Sequence, residues 1–112
     1  GYCRAVRVGP QIAVSGSAPV DENGELFGAG DMYRQTYRCI EIIAKALQDA
    51  GADLQDVVRT RIFVTDIDRW EDVAKAHREF FSDVMPACSM VEVSRLIGPG
   101  MLVEIEADAI VA

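Results

Sequence analysis

Positive charge is in short supply in this 112-residue chain, which has 11 Lys and Arg against 18 Asp and Glu, a formal net charge of −7. Phosphate backbones are held by clustered cations that release counterions, so this balance opposes a nucleic-acid partner. Histidine is scarcer still: His77 stands alone, a metal cluster would need carboxylates for nearly every ligand, and no metal is expected. Cys3, Cys39 and Cys88 are odd in number, far apart and without C-x-x-C spacing, which opposes a disulfide framework and a zinc site. No apolar run approaches the roughly 18 residues of a membrane helix, and no basic-then-apolar leader is visible. No membrane partner is expected, and the chain reads as cytoplasmic. The glycines at 24, 28 and 30 lack the spacing and the lysine of G-x-x-x-x-G-K-S/T, and no G-x-S-x-G is present. No cofactor is expected.

What is present suits one soluble domain over residues 1–112, with 50% apolar and 26% charged residues. A chain of this size can bury a core without metal or disulfide staples. Residues 5–9 and 11–16 are β-prone and separated by Gly9-Pro10, a hairpin signature. Asp31 can cap a helix with Tyr33, Tyr37, Ile40, Ala44 and Leu47 at helical spacing, ending at Gly51. Residues 57–65 alternate as a strand, with Val58, Ile62 and Val64 on one face and Arg59, Arg61 and Phe63 on the other. Asp66 or Asp68 can cap a second helix with Trp70, Val73, His77, Phe80 and Phe81 as its stripe, stopped by Pro86. Residues 88–94 and 101–111 complete the order β-β-α-β-α-β-β. This predicts an α+β fold of two layers, with both helices on one face of a shared sheet.

The other face carries the information. Val103, Ile105, Ala107 and Ala109 share one parity and suit the helices, leaving Leu102, Glu104, Glu106 and Asp108 opposite. Alternation with Val91 and Val93 places Cys88 and Met90 on that same non-helical face, with Phe63, Arg59 and Arg61. A face of such mixed character is too apolar for open solvent and too polar for a dry core, which predicts packing on another subunit.

Glu104 is the best candidate for acid/base work, since a carboxylate at a partly enclosed rim can position and deprotonate water. Its bland alternative is ion pairing with Arg59, Arg61 or Arg95. For Cys88, a small buried hydrophobe outweighs an activated thiolate, because no His or Lys is evident nearby in sequence. His77 reads as a core histidine, and Cys3 and Cys39 as packing residues.

Several segments together resemble the Rid/YjgF proteins, the reactive intermediate deaminases also described as L-PSP endoribonucleases. These are Val14-Ser15-Gly16 followed by Pro19-Val20, residues 61–66, Phe80-Phe81, and Pro86-Ala87 leading into residues 91–96 and 103–107. The resemblance spans nearly the whole chain in motif order. It implies a chorismate-mutase-like fold and a homotrimer with small-molecule sites between subunits. It also implies an arginine that binds a substrate carboxylate and a glutamate that helps water add to an imine carbon. Carried onto this chain, the glutamate is Glu104, and the substrate-binding positions include Tyr2, Ser15 and Gly16. The arginine is missing. The family's P-A-R-S segment reads Pro86-Ala87-Cys88-Ser89, the expected helix asparagine is Ala74, and a common cysteine is Met90.

A thiol offers one weak donor and no charge where the guanidinium offers a planar fork. The usual 2-imino acids are therefore not the expected substrates, and Arg4, close to Tyr2, is the nearest alternative cation. Three readings follow. The first is an imine or enamine hydrolase for a different small molecule, with Glu104 positioning water and Cys88 shaping the pocket. The second is a metabolite-binding or regulatory trimer without catalysis. The third is the ribonuclease of the family's older description, which the charge and the single histidine oppose.

Overall fold

A computed structural model describes residues 1–112, and the predicted element order is the observed one. Strands β1 (Ala5–Val8) and β2 (Gln11–Ser17) form the hairpin, α1 spans Met32–Asp49, and β3 spans Val57–Val64. Helix α2 (Trp70–Phe81), β4 (Ala87–Glu92) and β5 (Val103–Ile110) complete the chain, with short 3-10 turns before β3 and before α2. The sheet order is β1-β2-β5-β3-β4. Only β3 and β4, joined through α2, run parallel; the other neighbours are antiparallel. A mixed five-stranded sheet under two helices is the α+β architecture that the sequence predicts.

The chain's last strand lies at the sheet's centre. In β5, Val103, Ile105, Ala107 and Ala109 are buried and the intervening acids are half-exposed on the other face. Ile12, Val14, Ile62 and Val64 from its neighbours join the same apolar layer beneath Ile40, Ile43 and Leu47 of α1 and Val73 and Phe81 of α2. Alanine at 107 and 109 keeps that layer thin where the sheet meets the helices.

Helix α1 begins where the Asp31 side chain accepts from the Arg34 N–H, as its position in the sequence predicts. Its buried stripe is rotated from the predicted one: Met32, Gln35, Thr36, Cys39, Ile40, Ile43, Ala46 and Leu47 face inward. Tyr37 instead flanks α2, with its ring 4.6 Å from that of Phe80. Buried Gln35 is satisfied by the carbonyls of Gly28 and Gly100 and by the Leu102 N–H, so it clamps the loop leading into β5. Asp66 caps the 3-10 turn rather than α2 itself.

Three expectations about faces are corrected. A register shift between Val57 and Arg59 turns Val57 into the core and leaves Val58 44% exposed. Trp70, at the first turn of α2, is half-exposed rather than part of the stripe. Cys88 and Met90 lie on the helical face, because parallel pairing sets Cys88 beside Thr60 and Met90 beside Ile62. Val91, beside Phe63, takes the open face and is 48% exposed. On an edge strand with apolar residues at both parities, alternation alone does not choose the face.

Replacing Gln35 with Leu is expected to lower stability by about 2–3 kcal/mol, since it leaves two carbonyls and one N–H without their partner. Chemical denaturation checks this, with the loss appearing in the midpoint at unchanged denaturant slope.

Candidate functional site

Glu104 sits on the open face of β5, beside Phe63 of β3. The acids following it are engaged: Arg61 Nη1 lies 3.3 Å from Glu106 and 3.0 Å from Asp108. Glu104 itself makes no ion pair or side-chain hydrogen bond, so the pairing alternative is realised by its neighbours and not by it.

The sequence makes room for that carboxylate. Between Val14 and Ser17, two residues of β2 oppose one residue of β5, a bulge that brings Gly16 against Glu104. A Cβ at Gly16 would stand 2.6 Å from Glu104 Oε2, so the absent side chain is what lets the carboxylate rest in this place. The N-terminal segment is tied to the same bulge. Ser15 Oγ donates to the Cys3 carbonyl, Ser15 N to the Arg4 carbonyl, and Arg4 Nη2 to the Gly16 carbonyl at 2.9 Å. Tyr2 is 82% exposed, its ring 5.8 Å from the Arg4 guanidinium. The structure thus gathers Ser15, Gly16 and Glu104, with the segment carrying Tyr2 laced to the bulge.

Cys88 is not among them. It lies on the opposite face, two strands away from β5, lining a cavity of about 310 Å³ between α2 and β4, and it is exposed there, not the buried apolar residue that its sequence context favours. Ala74, His77, Arg78, Met85 and Met90 line the same cavity, so the three positions at which the resemblance implies an arginine, an asparagine and a cysteine do come together. Arg4 lies beside Ala46 and Asp49, on the side of edge strand β1, across the sheet from β4. Within one chain it does not reach the Cys88 cavity.

His77 is half-buried, with Nε2 2.9 Å from Thr60 Oγ1 and its ring 4.6 Å from that of Phe81. Burial lowers its pKa from the ordinary 6.5, which favours the neutral ring. Burial raises the Cys39 thiol well above its usual range, and the nearby charge of Glu104 adds to the effect, so Cys39 is an inert packing residue. Neither Arg78 nor the Thr60 contact of His77 is evident as a site feature from motif reading. The available signal is the spacing 74, 77, 78, 81, 82, which places these residues on one stripe of α2.

With this geometry in view, the comparisons with known proteins agree on the family. Residues 1–111 match the family described as Endoribonuclease L-PSP. The chain belongs to the Rid/YjgF family. A RutC family protein of Pyrococcus abyssi is 40% identical over 109 residues, covering 96% of this chain and 84% of that relative. The 3-aminoacrylate deaminase RutC of Acinetobacter baylyi is 34% identical over 108 residues, covering 96% and 85%. The crystal structure of a Mycobacterium tuberculosis member of the YjgF/YER057c/UK114 family superposes with a TM-score of 0.88 at 49% identity, covering 98% of this chain and 86% of that one. The chorismate-mutase-like fold implied by the motifs is therefore the fold observed.

The depressed pKa of His77 has a consequence for stability. The unfolded chain takes up a proton near pH 6.5 that the folded chain resists, so the contribution is complete above that pH and is lost as pH falls below it. Denaturation midpoints at pH 7.5 and about 5.5 are expected to differ in that direction for the wild type, and less for His77→Gln.

Proposed function

We propose that the protein works as a homotrimer with a ligand pocket between subunits and hydrolyses an imine or enamine other than the usual 2-imino acids. The observation that carries this reading is the unpaired Glu104 carboxylate, held against Gly16 while Arg61 engages the two acids that follow. Glu104 and the Cys88 cavity lie on opposite faces of one sheet, so a single chain presents each to a different surface. A second copy, setting its open face against the α2–β4 edge, would give one ligand both walls. The half-exposed Val6, Val91 and Ile110 on the open strands favour such packing.

In the proposed reaction Glu104 positions a water and accepts its proton as the oxygen adds to the imine carbon. The nitrogen takes up protons, the carbon–nitrogen bond breaks, and ammonia and a carbonyl compound leave, consuming one water. The deaminase activity named for the Acinetobacter relative supports this class. Cys88 sets the difference in substrate, because it cannot hold a carboxylate as arginine does. Ribonuclease action is disfavoured by the net charge of −7 and by a single histidine held against Thr60. A trimer that binds metabolites without catalysis is the remaining alternative, and turnover separates it.

Imines generated in situ, with and without an α-carboxylate, are the test, followed through ammonia release. Hydrolysis of at least one non-standard imine is expected, with Glu104→Gln slowing it by about a hundredfold or more. No acceleration of any imine, with saturable binding retained, would leave only the binding reading. Cys88→Arg is expected to add activity on 2-imino acids. Gly16→Ala is expected to lower turnover by displacing the Glu104 carboxylate, with little change in melting temperature because that side-chain end can swing aside. Sedimentation velocity is expected to give three times the 12.2 kDa chain mass.

A further inference from the structure

The cavity between α2 and β4 contains one formal charge. Its walls include no acid, its apolar part is formed by Ile62, Phe81, Met85 and Met90, and Arg78 is the only permanently charged side chain. That is an unusual local balance in a chain of net charge −7.

Arg78 is also without an engagement, as is Arg59 on the open face of β3, which does not line the cavity. Arg69 donates to the Gly30 carbonyl, Lys75 lies 4.9 Å from the centre of the Tyr33 ring, and Arg61 bridges Glu106 and Asp108. The guanidinium of Arg78 makes no hydrogen bond and no ion pair. Its helix supplies no carboxylate either, since the positions three and four residues away are Ala74, Lys75, Phe81 and Ser82. Adjacent Glu79 points elsewhere, with both oxygens accepting from Tyr33 Oη. Five donors on an exposed but unpartnered fork thus border a small, mostly apolar cavity.

We propose that Arg78 is the anion-binding residue of this pocket, so that the ligand is a short-chain organic acid whose carboxylate lies against α2. The inference rests on the reading of the α2–β4 cavity as one wall of the ligand pocket, and it relocates the cation from the strand to the helix. A carboxylate held there is displaced from the place that an arginine at position 88 would give it. The site therefore favours acids whose reacting carbon is separated from the carboxylate, over 2-imino acids. Cys88 fits this arrangement, because a second guanidinium at that position would share the cavity with Arg78 and repel it. Met85, 81% exposed, lines the cavity at the end of α2. Its backbone takes φ 56°, a left-handed conformation uncommon for this residue type, and it hydrogen-bonds to the Phe81 carbonyl at the end of α2.

The test titrates the full chain with 4-oxopentanoate, 2-oxopentanoate and uncharged 2-pentanone, reading the imidazole resonances of His77, the chain's one histidine. At low ionic strength 4-oxopentanoate is expected to bind most tightly, with its affinity falling as salt rises toward about 150 mM. Arg78→Ala is expected to weaken 4-oxopentanoate by about tenfold and leave 2-pentanone unchanged, while Arg78→Lys recovers part of the loss. Circular dichroism confirms that the variants fold, which the exposed position of Arg78 favours. An acid affinity unchanged in Arg78→Ala, or no preference for the acids over the ketone, overturns the assignment. Parallel imine assays keep the two readings apart. Arg78-dependent acid binding without any turnover retains this proposal and removes the hydrolase, whereas wild-type turnover of imines in Arg78→Ala does the reverse.

Discussion

The central position of β5, between β2 and β3, is the constraint from which the rest of the molecule follows. Its alternate residues must satisfy two environments at once, an apolar layer under the helices and a charged row on the open side. Ladder hydrogen bonds on both edges hold the strand in register, so no acid of the row can slide away from its cross-strand neighbour. Arg61 reaches Glu106 and Asp108, and its reach ends there. Glu104 is left to the bulge of β2, where an absent side chain at Gly16 gives it space. A free carboxylate therefore arises from the arithmetic of strand register, with one cation serving a row of acids.

Two helices over a five-stranded sheet cover one face and leave the other to solvent. For a domain of this size that is the usual limit of a single core, and partly apolar open strands then call for further packing. The division also separates the chemistry: Glu104 on one face, Cys88, His77 and Arg78 on the other. Neither half has by itself a full set of groups for binding a small molecule and activating water. The proposed trimer reconciles them, since each copy would lend one face to its neighbour.

With cysteine at position 88, where the resemblance implies an arginine, the cavity between α2 and β4 has Arg78 as its one permanent charge. A cation on a strand is held in one direction by the ladder, whereas Arg78 stands on a helix beside small residues and has a longer arc of movement. Burial lowers the pKa of His77 and favours its neutral ring, so Arg78 remains the cavity's one permanent charge. The cavity thus combines soft apolar walls with a single cation, a different balance from one organised around an arginine at position 88.

The order of elements, the two-layer architecture, the alternation of residues 103–109 and the family motifs were legible in the chain, because each depends on spacing along a few residues. Ser15, Gly16 and Glu104 were identifiable as well, as motif positions, though not the bulge that joins them. The face of Cys88 was not legible. It depends on the parallel register of β4 against β3, and an edge strand with apolar residues at both parities is consistent with either face. The inward turn of Val57 escaped for a related reason, since a bulge shifts parity without a local signature. The stripe of α2 was visible, but the partners of Arg78, or their absence, depend on which side chains β4 brings opposite. Local periodicity determined what each segment is, and long-range pairing alone decided which chemistry shares a surface, because pairing energies involve residues that sequence distance does not connect.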